Sequence, residues 1–405
     1  MTYDVDKKFY LSFLIIIIFG ALTDINTQIL YFNFKPLSFY KYFFNSYIYI
    51  SLFYLPLSNL NKLNYFFNDY VKYFFIILIF YGLLIILLSV GSFTSLVHNL
   101  GAPSYGPIFL SPLFFLWGTQ INALFWFNKL CLLSILIGIL IFPLSFILKF
   151  DIALNLFLPI FFLIITFNYQ SFNNKIIIIT ATFISWYCFL FYGYRFGNLL
   201  IFFSIIIFLL SLLQNKFLLY SLRLFFVVSP LLFYFLYIKF QFNIFEYSST
   251  FFDEGSTFGV DTRSLLYSEL FSQLNTKEIL FGKGVLGSYY SKYFYSLNYG
   301  GDHFIRRSTE VGFLHFVLKG GIFYFLIFYL FFTFISLKKY SSIYFSTLGL
   351  FISVFLSMLF IENHPYFSVK IILMWILISI CASRLFNNYT DAQIKKIIVN
   401  EIYPK

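Results

Sequence analysis

Residues 73–91 read YFFIILIFYGLLIILLSVG, a stretch without a single charged side chain. A helix rises about 1.5 Å per residue, so a run of about 20 apolar residues matches the roughly 30 Å hydrocarbon core of a bilayer. The same reading applied along the chain gives twelve candidate spans, at about 9–23, 39–58, 73–91, 105–119, 128–148, 152–169, 175–193, 197–213, 217–238, 310–336, 342–361 and 366–384. The stretch at 105–119 is the weakest of them. Pro103, Pro107 and Pro112 crowd it, so it reads as re-entrant or interrupted, and the count falls between ten and twelve.

Composition agrees. Of 405 residues, 60% are apolar, 25% are aromatic and only 11% are charged. A soluble domain carries roughly 25% charged residues. A chain this long with so little charge cannot present a water-compatible surface, which argues against a soluble enzyme, a nucleic-acid-binding protein and a secreted disulfide scaffold. The net charge of +11 is scattered between apolar runs, so no nucleic-acid partner is expected. Cys131, Cys188 and Cys381 sit inside apolar runs without disulfide or zinc spacing, and no His, Asp or Glu pair has metal-ligand spacing. Neither a metal nor another cofactor is expected. Lys7 and Lys8 before the first apolar run resemble a signal peptide, but no small-residue cleavage site follows, and an uncleaved first helix is expected.

Charge in the short connections orients the bundle. With the N-terminus in the cytoplasm, Lys62, Lys72, Lys129, Lys175, Lys216, Lys338, Lys339, Arg384, Lys395 and Lys396 all fall inside, against Lys35, Lys149 and Arg195 outside. Twelve spans also return the C-terminus to the cytoplasm. The expected fold is an all-α polytopic integral membrane helix bundle with one long outward-facing loop. Residues 1–238 hold the N-terminal spans, 239–309 the loop, 310–385 the C-terminal spans and 386–405 a cytoplasmic tail.

A connection of roughly seventy residues is long enough to be functional. Leu265, Leu266, Leu270, Phe271 and Leu274 give it an amphipathic helix, expected to lie near the membrane surface. Its Gly282, Gly284 and Gly287, in FGKGVLGSYY, predict a tight turn and not a phosphate-binding fingerprint, because spacing and context are both wrong. Asp253, Glu254, Lys277 and Glu278 read as solvated loop charge.

Arg263, Arg306 and Arg307 in the loop, with Arg195 between two spans, would put four guanidinium groups on one side of the membrane. That planar, permanent charge matches phosphate oxygens, and a pyrophosphate is the ligand such a group would suit. The structural alternative for Arg195 is an arginine snorkelling from a helix end. Glu310 opens the tenth span. Capped by Ser308 or Thr309 it would favour the helix dipole, and partly buried it could act as a base. His303 is a second candidate base, or a surface histidine. His315 and Lys319, one helical turn apart, could form a polar stripe along a cavity, and His98 and His364 are secondary. Tyr289, Tyr290, Tyr293 and Tyr295 read as interface anchors, with stacking on sugar rings as the alternative.

These features, in this order, resemble the O-antigen polymerase and O-antigen ligase family. Arg195-Phe196-Gly197 precedes a span, Asp261-Thr262-Arg263 opens the loop helix, ILFGKG follows at 279–284, and STEVGFLHFVLKGG at 308–321 leads into the next span. The likeness covers roughly residues 190–330 together with the overall topology. It implies an inverting, metal-independent glycosyltransferase of the bacterial cytoplasmic (inner) membrane. Such an enzyme acts at the outer face on polyprenyl-pyrophosphate-linked oligosaccharide, with Arg195 and Arg263 as the family's arginines. A flippase and a chain-length regulator are the partners it implies, besides membrane lipid. Ligase members resemble one another in a His-Asn pair that falls here on Thr309-Glu310, and this departure favours the polymerase branch. A ligase and a flippase remain the alternatives, although charge confined to one loop and the lack of an internal repeat speak against the flippase.

Overall fold

The computed structural model describes residues 38–57, 59–102, 105–120, 122–148, 156–191, 195–240, 262–292, 305–360, 367 and 369–400. The expected span at 9–23 lies outside the described residues. The protein is an all-α membrane helix bundle. Its first described helices are α1 (Ser38–Leu57), α2 (Asp69–Leu88), the short α3 (Phe93–Gly101), and α4 (Gly106–Leu110), which runs on as a 3-10 segment (Ser111–Thr119). They are followed by α5 (Ala123–Leu148), α6 (Ile160–Ile165), α7 (Phe172–Phe191), α8 (Arg195–Leu212) and α9 (Lys216–Phe240). The long connection contributes α10 (Thr262–Gln273), α11 (Thr276–Phe281) and a two-stranded ladder that pairs β1 (Tyr289–Tyr290) antiparallel to β2 (Ile305–Arg306). The chain closes with α12 (Gly312–Ser336), α13 (Ile343–Met358), α14 (Val369–Ala382) and α15 (Asp391–Asn400).

Among the described residues, four helices are long and apolar enough to cross a bilayer unaided: Asp69–Leu88, 123–143, Phe172–Phe191 and Gly312–Ser336. The shorter apolar helices 106–119, 197–212, Ile343–Met358 and Val369–Ala382 fall on further expected spans. Apolar side chains are presented outward along α2 (Phe80, Leu87), α7 (Phe183, Trp186), α8 (Phe202, Leu209), α9 (Phe225, Leu232) and one face of α12 (Phe323, Leu330). Lipid is the solvent in which such a surface is stable. The core beneath is built mainly by α12, α13, α14 and the 3-10 segment, whose residues 111–119 are all buried.

The segment at 105–119 is interrupted for the reason its prolines give. Pro107 opens α4 and Pro112 opens the 3-10 run, each at a first-turn position where a missing N–H costs nothing. The segment packs flat against α14, with the indole Nε1 of Trp375 donating to Ser111 Oγ at 2.9 Å.

Hydrogen bonds sort the segment ends into two sets. At one end Asn45 Nδ2 donates to Gly101 O (3.2 Å), Asn99 Nδ2 to Ser89 O (3.3 Å), the Tyr267 hydroxyl to Phe360 O (3.1 Å) and Phe313 N to Leu359 O (2.8 Å). At the other end Lys62 Nζ donates to Gln120 Oε1 (3.2 Å), Asn128 Nδ2 to Gln170 Oε1 (3.1 Å) and Lys338 Nζ to Ala382 O (2.9 Å). Each pair joins residues that the alternation of spans puts on one side, so these segment ends agree with that alternation. The first set carries the long connection and is called the loop end below.

The opposite end contains two devices that the sequence reading did not single out. Arg223, 2% exposed, donates through Nη1 to Ser336 O and Lys338 O, both at 2.9 Å, and closes the C-terminus of α12. The tail is not a plain extension of the chain, because α15 packs Ile394 and Ile397 inward. Asp391 at its start accepts from Ile343 N (3.0 Å), Tyr344 N (2.9 Å) and the Tyr169 hydroxyl (2.5 Å). One carboxylate thereby satisfies first-turn donors of α13 and fixes the tail. Asp391→Asn is expected to cost about 1–2 kcal/mol and to lower the unfolding temperature in detergent. The glycan-forming activity proposed below should stay normal in protein that remains folded.

Candidate functional site at the loop end

The site grows from a break in α12. Its first turns, 312–320, are wholly buried, and the helix is interrupted at Gly321 (φ 74°, ψ 175°). That region of backbone space is open essentially to glycine alone. An interruption frees carbonyls, and the FGKG turn supplies their donors: Lys283 N donates to Leu318 O (2.7 Å) and Gly284 N to Lys319 O (3.1 Å). The approach is close from both sides. A Cβ on Gly282 would lie 2.4 Å from Lys319 O, and one on Gly321 would lie 2.2 Å from Leu280 O. The tight turn expected from the glycines is present, with φ of 78° at Gly282 and 80° at Gly284.

Lys319 completes the join. It is fully buried, and its ammonium donates to Val285 O (2.6 Å) and Gly287 O (2.8 Å) with the Tyr105 ring 4.7 Å away. Val285 N in turn donates to Ser89 Oγ (2.8 Å) at the end of α2. The expectation of a polar stripe along a cavity is therefore corrected for Lys319. His315 and Lys319 are both 0% exposed, and Lys319 spends its donors on the turn. A cavity of about 10 Å³ does touch this helix, but it is lined by Phe316, Phe328, Trp375 and other residues, and it has room for little more than a water.

The loop helix α10 is amphipathic as expected, with Leu266 and Leu270 fully buried. Its apolar face meets protein rather than the membrane surface: Tyr267 stacks on Phe313 with centroids 6.0 Å apart, and Phe271 lies 6.5 Å from the same ring. Glu278 caps α11 in a reciprocal box with Asn275. Asp253 and Glu254 lie outside the described residues.

Around this scaffold the arginines take separate tasks. Arg306 on β2 faces Glu310 at 3.8 Å, with side chains 25% and 48% exposed. Next to them Tyr289 is 3% exposed, and its hydroxyl has no partner among the described residues. Burial pushes that phenol's pKa up, against the opposing pull of Arg306. Arg307 is exposed and pairs with no carboxylate among the described residues. It acts electrostatically on His98 of α3 and on Lys319.

Glu310 differs from expectation in two respects. Helix α12 begins at Gly312 with Val311 at its N-cap and no side-chain cap, while the Thr309 hydroxyl donates to Val311 O at 2.6 Å. Glu310 therefore precedes the helix, and its side chain is accessible rather than partly buried. Arg195 opens α8, and Arg263 lies in the first turn of α10. The side chains of both lie outside the described residues, as do His303, Asp261, Glu362, His364, Tyr293 and Tyr295. Lys370, 7% exposed at the start of α14, is a further buried cation that the sequence reading passed over.

No family model, curated protein or solved structure matches the chain.

Proposed function

We propose that the protein is a polymerase that joins polyprenyl-pyrophosphate-linked oligosaccharide repeat units into a surface polysaccharide (O-antigen, capsule or exopolysaccharide). One observation carries the reading. Arg307 is exposed and forms no ion pair among the described residues, a positive charge at the loop end suited to a polyanion at the membrane surface. The lysines of the opposite end argue for a cytoplasmic location there, which turns the loop end outward. Residues 190–330, whose order of motifs resembles the O-antigen polymerase family, include most of this site.

In the proposed reaction an acceptor sugar hydroxyl attacks the donor's anomeric carbon. The new C–O bond forms as the bond to phosphate breaks, and the electron pair leaves with the lipid diphosphate. Arg307, with Arg195 and Arg263, stabilises the charge that grows on the leaving group, which is the interaction that accelerates the step. The hydroxyl proton passes to Glu310, whose exposure makes it reachable by the acceptor and which Arg306 orients. His303 is the alternative base. Fixed guanidinium charge supplies the stabilisation that a divalent cation gives in other sugar transferases. Glu310→Gln is expected to lower kcat by about 10²-fold with little change in KM, measured as polymer formed by the purified chain. An unchanged kcat would remove Glu310 from the mechanism.

Deletion in the native host tests the function. A polymerase deletion leaves single repeat units on the final carrier. Long polymer retained on polyprenyl lipid would instead indicate a ligase, and the loss of all external glycan would indicate a flippase.

A further inference from the structure

We infer that Arg384 and Lys72 form a headgroup site for an anionic phospholipid at the end of the bundle opposite the long loop. The inference is independent of the proposed reaction.

The site is assembled around Asn68, the residue before α2. Its side-chain Oδ1 accepts from Arg384 Nε, and its carbonyl accepts from Lys72 N at 3.1 Å. Arg384 stands just beyond α14 and is exposed. With Nε held, the guanidinium is oriented, and its two Nη groups have no partner among the described residues. Lys72 Nζ donates to Asn64 Oδ1 (3.0 Å) and Asp69 Oδ1 (3.2 Å), which leaves one of its donors uncommitted. Two residues before Arg384, the carbonyl of Ala382 receives Lys338 Nζ at 2.9 Å, which brings a third cation to the same corner. Among the described residues two carboxylates lie at this end, and both are engaged: Asp69 with Lys72, and Asp391 with the start of α13. The corner therefore carries a net positive charge. A fixed guanidinium fork matches the two free oxygens of a phosphodiester.

The surface next to the corner makes the occupant a lipid. Lys72 stands at the foot of a stripe of α2 that faces outward at helical spacing: Tyr73, Ile76, Phe80, Leu83 and Leu87, each between 41% and 69% exposed. Tyr65 and Tyr70, also exposed, flank Asn68 in the sequence, and tyrosines of this kind sit at headgroup depth. A phosphodiester on Arg384 would send its acyl chains along the stripe, a contact that a soluble phosphate cannot make. Zwitterionic headgroups carry the same phosphate but add a cation of their own, which Arg384, Lys72 and Lys338 oppose. A headgroup without that cation is therefore preferred, by about fivefold for each basic side chain near the membrane surface.

The test uses the full-length chain, delipidated in a neutral detergent and offered equal amounts of dioleoyl phosphatidylglycerol and dioleoyl phosphatidylcholine. Native mass spectrometry counts the first lipid bound. The wild type should favour phosphatidylglycerol by about tenfold, and Arg384→Gln should reduce the ratio to about twofold. Lys395→Gln removes the same charge from the exposed side of α15 and should leave the ratio within about twofold of the wild type. Glycerol phosphate in large excess should not displace the lipid. Displacement would give the corner to a soluble phosphate and overturn the inference. Should Arg384→Gln fail to fold, a phosphatidylglycerol with a photoactivatable headgroup reads the wild type directly. Label on residues 64–73 and 382–388 is expected, and label confined to other segments overturns the inference. It is equally overturned by a wild type without preference or by an Arg384→Gln variant as selective as the wild type. A Lys395→Gln variant that loses as much selectivity as Arg384→Gln also overturns it, since that result means diffuse attraction to the whole end.

Discussion

Arg307→Ala is expected to abolish the chain extension proposed above while leaving the protein folded and at normal abundance. The guanidinium is exposed and forms no ion pair among the described residues, so its removal disturbs little packing. If it holds the departing diphosphate, its loss raises the barrier by the amount typical of one transition-state charge donor, a rate loss of about 10²- to 10³-fold. Arg307→Lys should recover little, because an ammonium cannot offer two parallel donors to a phosphate. Arg306→Ala should be milder, since that side chain is engaged with Glu310. The readout is the length distribution of the surface glycan after complementation of a deletion strain. Full-length polymer made by Arg307→Ala at wild-type abundance would remove Arg307 from the mechanism.

The largest effect on stability is expected at Gly321→Ala. A Cβ there would lie 2.2 Å from Leu280 O and 2.5 Å from Phe281 N, on a backbone with φ of +74°. Conformational strain alone costs about 1–3 kcal/mol. The collision adds to it, because backbone on both sides cannot move without parting Lys283 N from Leu318 O. A total above about 3 kcal/mol is expected, seen as loss of the monodisperse peak in detergent chromatography or as a fall of many degrees in Tm. Gly282→Ala should behave alike. Gly91→Ala, where an added Cβ meets nothing within 4 Å, is the control and should be silent. A silent Gly321→Ala would mean that the turn and the broken helix are not joined as described.

How far the sequence revealed these features depends on the kind of signal each one leaves. Spans are legible because lipid imposes one rule on about twenty consecutive residues, and their alternation is legible because lysines gather at one end. The match between 39–58 and Ser38–Leu57, or 175–193 and Phe172–Phe191, reflects that rule. The amphipathic face of α10 was equally readable, but its partner was not. Leucine spacing says that a face is buried, not whether lipid or Phe313 covers it. The break in α12 left traces in GKG at 282–284 and KGG at 319–321, two glycine clusters that each signal a turn. Nothing in the sequence says that they press against one another. Lys319 looked like a cavity-lining cation because a buried lysine and a buried tie to two carbonyls have the same letter. Arg223 and Asp391 escaped because capping a distant helix end leaves no local pattern at all.

For the site, the residue types were legible and their pairing was not. Arg306 and Arg307 are adjacent and were read as equivalent. Arg306 faces the Glu310 carboxylate, and Arg307 is left to the solvent.

The most direct measurement is reconstitution of the purified chain alone in proteoliposomes with its lipid-diphosphate-linked repeat unit and a metal chelator. Reaction products are resolved by length. The account predicts a ladder of extended glycan on lipid diphosphate with release of free lipid diphosphate, absent with Arg307→Ala. Repeat units that remain single in the presence of folded wild-type protein would contradict it.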